Sequence, residues 1–200
     1  MYSGADGAMK QRGVVLIMVL VLLLAVTLLG TVVVQNAALQ SKMVSNTQLR
    51  QQAFNSAEAI LAGAEKDLAA NAPNTAATIA AKFKSDCTGG YCFAGTMDSS
   101  GPNVQRSCTL TVPTSEVWEK SNTLNVWNTS GKYVPFTVPN LKNGGQYIVE
   151  FRCFVDGVGK VLTEETQPGD MLFRVTARGV ADDGTTIVML QSTYRVGGYQ

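Results

Sequence analysis

From Val14 to Val34 the chain reads VVLIMVLVLLLAVTLLGTVVV, without a charged residue. A run of this length meets the ~20 apolar residues a helix needs to cross a bilayer core. The apolar pattern then changes period instead of stopping. Leu39, Met43, Leu49, Ala53, Phe54, Ala57, Ile60, Leu61, Ala64 and Leu68 recur at mainly three- and four-residue steps, while Gln51, Gln52, Asn55, Glu58, Glu65 and Lys66 occupy much of the other side. That spacing predicts an amphipathic helix. No proline follows the apolar run until Pro73, so one helix is predicted from about residue 14 to 70, ~85 Å long at 1.5 Å per residue. Its outer half must pack against the rest of the chain.

The remainder has a different texture. Residues 71–106 are rich in Gly, Ser, Asn and Pro, with one short helix expected near 75–84. Strand signals then recur at Cys108–Val112, Tyr133–Val138, Gln146–Val155, Met171–Val180 and Thr185–Val196, rich in Val, Ile, Thr, Phe and Tyr. Asp182-Asp183-Gly184 predicts a hairpin between the last two, and Asn143-Gly144-Gly145 and Gln167-Pro168-Gly169-Asp170 mark turns. The fold class expected is α+β: a long N-terminal helix, half membrane-spanning and half amphipathic, packed on a C-terminal antiparallel sheet. Five segments follow from this: 1–13 as a leader, 14–36 as the membrane or filament-core helix, 37–70 as an amphipathic stalk, 71–106 as a connecting loop region, and 107–200 as the sheet.

Composition narrows the chemistry. The formal charge is +1 and there is no histidine. The near-neutral balance gives no sign of a nucleic-acid partner, and no His-based nucleophile pair or zinc site can be built. Nucleotide-binding loops of the GxxxxGK[ST] or GxGxxG kind are missing too. Neither a catalytic residue nor a cofactor is expected. The four cysteines, Cys87, Cys92, Cys108 and Cys153, predict two disulfides and hence an oxidising compartment. The alternative is metal binding at the Cys87-x4-Cys92 spacing, but no second closely spaced pair exists. Cys87-Thr88-Gly89-Gly90-Tyr91-Cys92 encloses a Gly-Gly turn, so Cys87–Cys92 with Cys108–Cys153 is the preferred pairing, with the other two connectivities open. The local bridge is expected to pin an exposed loop presenting Tyr91 and Phe93.

Lys10 and Arg12 precede the apolar run, and the next basic residue is Lys42. The positive-inside bias therefore leaves residues 1–13 in the cytoplasm and everything after about residue 36 outside. A cleaved secretory signal fits poorly: its apolar stretch is only ~7–15 residues, followed by a small-x-small site. A plain signal anchor is a second possibility. The third rests on local residues: Lys10-Gln11-Arg12-Gly13, running directly into the apolar helix, resembles the class III signal of type IV prepilins. The resemblance implies cleavage after Gly13 by a prepilin peptidase and N-methylation of Val14. Met9 is an alternative start that would give the short leader usual in that family. Most pilins carry Glu as the fifth mature residue, thought to neutralise the buried amine of the neighbouring subunit; here that position holds Met18. A subunit without that carboxylate suits the first place in assembly, the tip.

A second resemblance lies further along. Met43-Val44-Ser45-Asn46 and Ala53-Phe54-Asn55-Ser56-Ala57-Glu58-Ala59 are similar to the N-terminal region of the PilX family of type IV pilus assembly proteins, over about residues 10–68. It implies a minor pilin, not an enzyme, held in the inner membrane with its C-terminal domain in the periplasm before reaching the extracellular pilus tip. Implied partners are other minor pilins, the major pilin and a PilY-type tip adhesin; implied roles are priming of assembly, twitching motility and adhesion. A type II secretion pseudopilin is the nearest rival, and a periplasmic binding domain on a signal anchor is a rival of another class.

Some features stay outside this scheme. Glycine and consecutive β-branched residues at Gly30–Val34 are weak helix formers, so either a locally unwound stretch or an intact membrane helix is expected there. Glu164-Glu165 and Asp182-Asp183 sit beside turns and read as solvated loops, not as calcium ligands. Trp118 and Trp127 are either core anchors or exposed adhesive residues. Asn128-Thr129-Ser130 matches a glycosylation sequon.

Overall fold

The computed structural model describes residues 11–93, 97–98, 101–102, 116–119, 122–155 and 169–197. The arrangement is α+β, and the chain divides into two units, Met1–Gln48 and Leu49–Gln200. Helix α1 spans Gln11–Asn71 and contributes to both.

In the first unit every described side chain from Gly13 to Thr31 is exposed. The large apolar ones from Val14 to Leu29 are each 52–71% exposed. A helix apolar on all sides has no face to bury against its own chain and calls for a surrounding that is itself apolar. By length and composition it can cross a membrane. The two hydroxyls inside the run are satisfied locally: Thr27 Oγ1 donates to the Leu24 carbonyl and Thr31 Oγ1 to that of Leu28, both at 2.8 Å. Gly30–Val34 stays helical, the intact alternative of the two expected.

In the second unit α1 buries Ala53, Ala57, Ile60, Ala64 and Leu68 completely, the stripe its periodicity predicts. It packs on a sheet whose long strands are β5 (Gly145–Val155), β6 (Asp170–Val180) and β7 (Ile187–Val196), joined antiparallel in that order. The inward residues of β5 and β6 pair across the ladder as Gly145↔Gly179, Tyr147↔Ala177, Val149↔Val175 and Phe151↔Phe173. Side-chain bulk therefore grows along the sheet from a glycine pair to a phenylalanine pair. At the glycine end the helix comes into backbone contact: a Cβ placed on Gly179 would lie 2.3 Å from the Ala53 carbonyl oxygen and 2.4 Å from the Ala57 nitrogen. At the wide end Phe83 enters between the layers, its ring 5.5 Å from Phe173 and 5.9 Å from Phe151.

Phe83 is delivered by helix α2 (Ala76–Lys82), within the span expected for a short helix. Its start is a capping box in which Thr75 Oγ1 accepts from the Thr78 amide and Thr78 Oγ1 from the Thr75 amide. The β6–β7 hairpin turns at Asp182-Asp183-Gly184, with Gly184 at φ 71° and the Ala181 amide donating to the Thr186 carbonyl at 3.0 Å. β7 begins at Ile187, two residues later than expected, because Thr185 and Thr186 both donate to the Asp183 carboxylate instead of extending the ladder.

Two features differ from the expected antiparallel sheet. A three-residue strand β1 (Tyr91–Phe93), inside the predicted loop region, pairs parallel with β5 through Tyr91↔Val149 and Phe93↔Phe151. Three residues are too few to display an alternation, so the strand left no periodic signal. A two-residue ladder also joins β2 (Met97–Asp98) to β3 (Gly101–Pro102). Strand β4 (Val134–Phe136) falls within its predicted span and pairs antiparallel with the start of β5. The strand expected at Cys108–Val112 lies outside the described residues, as does Glu164-Glu165.

Replacing Gly179 with alanine is expected to destabilise the chain by about 1–3 kcal/mol, because backbone atoms, which cannot rotate away, occupy the space. Gly63→Ala meets only the Phe136 ring edge, at 2.4 Å, and should cost less. Urea unfolding of both variants in detergent checks the order.

Candidate functional site

Three groups of residues are candidates. The first is the start of α1. Gly13 is exposed, and a Cβ built on it would meet nothing within 4 Å. Val14 and Met18 are 58% and 69% exposed and lie one helical turn apart on the same side. Lys10 lies outside the described residues, and for Arg12 only the helical backbone is described.

The second group surrounds the disulfide. Cys87 and Cys92 are bonded, with Cα atoms 4.2 Å apart. The turn between them needs left-handed backbone at Cys87 (φ 62°), Gly89 (φ 73°) and Gly90 (φ 81°). Glycine reaches such angles without strain, and at Gly90 a Cβ would also collide with the Val134 backbone nitrogen at 2.7 Å. Tyr91 and Phe93 do not form the exposed display expected of this loop. Phe93 is 4% exposed, its ring 6.0 Å from that of Phe151. Tyr91 stands edge-on to Phe83 at 5.5 Å and donates its hydroxyl to Asp67 Oδ2 at 2.9 Å. Burial and that hydrogen bond push the Tyr91 phenol well above its ordinary range. The reason for the inversion is strand β1: pairing with β5 turns both rings into the core. Cys153 is buried and disulfide-bonded; its expected partner Cys108 lies outside the described residues.

The third group was not foreseen. On the sheet face turned away from α1, a second apolar cluster gathers Cys87, Cys92, Val117, Val126, Trp127 and Ile148. Next to it, Glu150 of β5 is 1% exposed and sits directly opposite Arg174 of β6. Arg174 Nε and Nη2 donate to the two oxygens of Glu150, each at 2.7 Å, and Nη2 also donates to Glu116. Arg152 adds a weaker ion pair, 3.9 Å from Glu150. Burial works against the Arg174 charge, but the two carboxylates outweigh it and hold the guanidinium protonated beyond its usual range. The hydrogen bond from Arg174 in turn holds the Glu116 carboxyl below its ordinary value. One arginine thus ties the 116–119 segment to the sheet. Arg178 acts similarly further along, donating to Gln146 at 3.0 Å with its guanidinium 6.0 Å from the Trp127 ring centre.

Of the two tryptophans, Trp127 is a core anchor: it is 8% exposed and its indole N–H donates to the Trp118 carbonyl at 2.8 Å. Asp182 and Asp183 are exposed, and they accept from Gln52, the Lys142 amide, Thr185 and Thr186, which is turn capping. Asn128 is exposed on a turn. Among the described residues no three His, Cys, Asp or Glu side chains are grouped to hold a metal ion. The chemistry on offer is packing and pairing.

Comparison with known proteins gives a consistent picture. The family described as PilX N-terminal matches residues 12–62, and the one described as type IV pilus assembly protein PilX C-term matches residues 51–196. No curated protein and no solved structure is similar enough to count as a match.

Removing Glu150 as Glu150→Ala takes two hydrogen bonds from Arg174 and leaves its guanidinium to Glu116 alone, so it should cost up to about 3 kcal/mol, less than a buried pair left with no partner. Glu116 should show its role through pH. Its folded pKa lies below the ordinary 4.5, so its contribution is fully present above pH 4.5 and fades as pH falls through the folded value. The stability gap between the wild-type chain and Glu116→Gln, measured by urea unfolding, should therefore be constant from pH 7 down to about 4.5 and narrow as the pH is lowered further.

Proposed function

As a member of the PilX family of type IV pilus assembly proteins, this chain is a minor pilin, and we propose that it serves in the tip complex that primes pilus assembly. Its leader is residues 1–13, removed after Gly13 by the prepilin peptidase, and Val14 is then N-methylated. Before assembly the Val14–Val34 helix sits in the inner membrane, with the sheet domain in the periplasm; afterwards it joins the bundle of helices in the filament. The same apolar surface serves both states, because protein side chains replace lipid around it.

The observation that carries the tip position is Met18. A buried amine needs a counter-charge, and a thioether supplies none. The chain therefore lacks the group that would receive the amine of a subunit assembled before it, while its own Val14 amine can meet a carboxylate on the next. On this reading it starts the filament, together with other minor pilins and with the major pilin following. A PilY-type adhesin at the same end would give the complex its part in adhesion and twitching.

Mass spectrometry of the mature protein should find an N-methylated valine at position 14; an intact leader would remove the proposal at its base. Met18→Glu tests the tip assignment. With the carboxylate restored, immunogold labelling should move from pilus ends to the shaft. Shaft labelling of the wild-type chain would rule out a tip role.

A further inference from the structure

The Cys87–Cys92 bridge faces inward from an exposed turn. Ser85, Asp86, Thr88 and Gly89 are exposed, whereas Cys87 is 0% and Cys92 1% exposed. Both cysteines belong to the apolar cluster on the sheet face turned away from α1, with Val117, Val126, Trp127 and Ile148. Reduction of a disulfide by a thiol needs an attacking thiolate to reach one of the two sulfurs. With both residues closed off from solvent, the folded arrangement offers no such approach.

The segment that completes this cluster is fastened differently from the strands. Among the described residues, the main-chain bonds between Glu116 and Lys132 run in local turns: Glu119 to Glu116, Asn122 to Glu119, Asn125 to Asn122, Asn128 to Asn125 and Lys132 to Thr129. One more joins it to the disulfide turn, from the Gly89 amide to the Gly131 carbonyl at 2.6 Å. Ladder pairing with β5 begins only at Val134. Side chains hold the rest down. Arg174 donates to Glu116 at one end, and the Arg178 guanidinium lies 6.0 Å from the Trp127 ring centre further along. Segments with few main-chain ties to a sheet open locally at less cost than the whole unit unfolds.

We propose that Cys87–Cys92 is a guarded redox site: a dithiol reaches it only while the segment from Glu116 to Trp127 is lifted from the sheet, and the Glu116–Arg174 pair sets how often that happens. One thiolate of the dithiol attacks a cysteine sulfur, and a mixed disulfide forms as the Cys87–Cys92 bond breaks. The second thiol of the dithiol then closes a ring and releases the other cysteine. Two electrons and two protons pass to the protein, leaving two thiols there and a cyclic disulfide on the reductant. Cys87, held at φ 62° while the bridge is closed, loses the link that fixes the turn leading into β1. The guard and the bridge lie on one face of the sheet, so this opening leaves the α1 face intact.

The test follows reduction of the full chain in detergent by dithiothreitol, with free thiols trapped by N-ethylmaleimide and Cys87 and Cys92 read by peptide mass spectrometry. The wild-type bridge should be reduced far more slowly than in the urea-unfolded chain, at a rate proportional to dithiothreitol concentration. Glu116→Ala should speed this about tenfold, the scale of one hydrogen bond to a charged group. Ile60→Val supplies the contrast, because Ile60 is buried in the main cluster on the α1 face. It lowers global stability and should leave the reduction rate unchanged. Urea unfolding measures the global loss in each variant, and Glu116→Gln replaces Glu116→Ala if that variant does not fold. Equal rates in folded and unfolded chains would overturn the proposal, as would a rate untouched by the Glu116 change. So would acceleration by Ile60→Val in step with its stability loss, which would mean that the bridge is exposed only by global unfolding.

Discussion

Helix α1 touches the sheet backbone to backbone at one end and stands off from it at the other, and the second unit is organised by that taper. Gly145 and Gly179 face each other across the β5–β6 ladder, beneath Ala53, Ala57 and Ile60. Nothing larger than a hydrogen fits at Gly179. Once the helix is seated there, the space further along is fixed, and Phe83, Phe151 and Phe173 fill it. The capping box of α2, the Tyr91–Asp67 bond and strand β1 all serve to bring Phe83 and its neighbours into that gap. Interiors packed this densely have little room to adjust.

The two parts of α1 follow opposite rules from one continuous run of helical residues. Beyond Leu49 it hides small side chains against its own sheet. Before that, its leucines and valines from Val14 to Leu29 are exposed on every side. In water such a surface is costly at roughly 25 cal/mol per Å², so the first unit depends on what surrounds it, while the second carries its own core.

Much of this was legible in the chain itself. The stripe from Ala53 to Leu68, the short helix, the four described strands from β4 to β7 and the Asp182-Asp183-Gly184 turn all announce themselves through period or turn chemistry. Two things did not. Strand β1 is three residues long and is held by register with β5, a long-range relation that no local pattern encodes. The Glu116–Arg174–Glu150 network was hidden for a similar reason. Glu150 and Arg152 are the only charges in an apolar stretch; the hydrogen-bond partner of Glu150, Arg174, is 24 residues downstream, and the second carboxylate on Arg174, Glu116, lies on a segment with no regular structure. The strand alternation does put Ile148, Glu150 and Arg152 on one face, so a buried charge there was the available clue. At the N-terminus the position is reversed: Gly13, Val14 and Met18 are plain in the sequence, and the fold leaves them exposed.

The Cys87–Cys92 bridge closes a separation of only five residues. In chain-entropy terms a loop that small restricts the unfolded state by only about 2 kcal/mol, well under what a long loop yields. Contact between the two cysteines is nevertheless early. Loops of this length close within about 100 ns, far sooner than a distant strand can find its register. In a chain that is exported, the two thiols therefore meet without waiting for β5, and once a thiol oxidant has taken their two electrons and two protons, a step of seconds or longer, the bent Cys87–Gly90 turn is held whatever the state of the sheet.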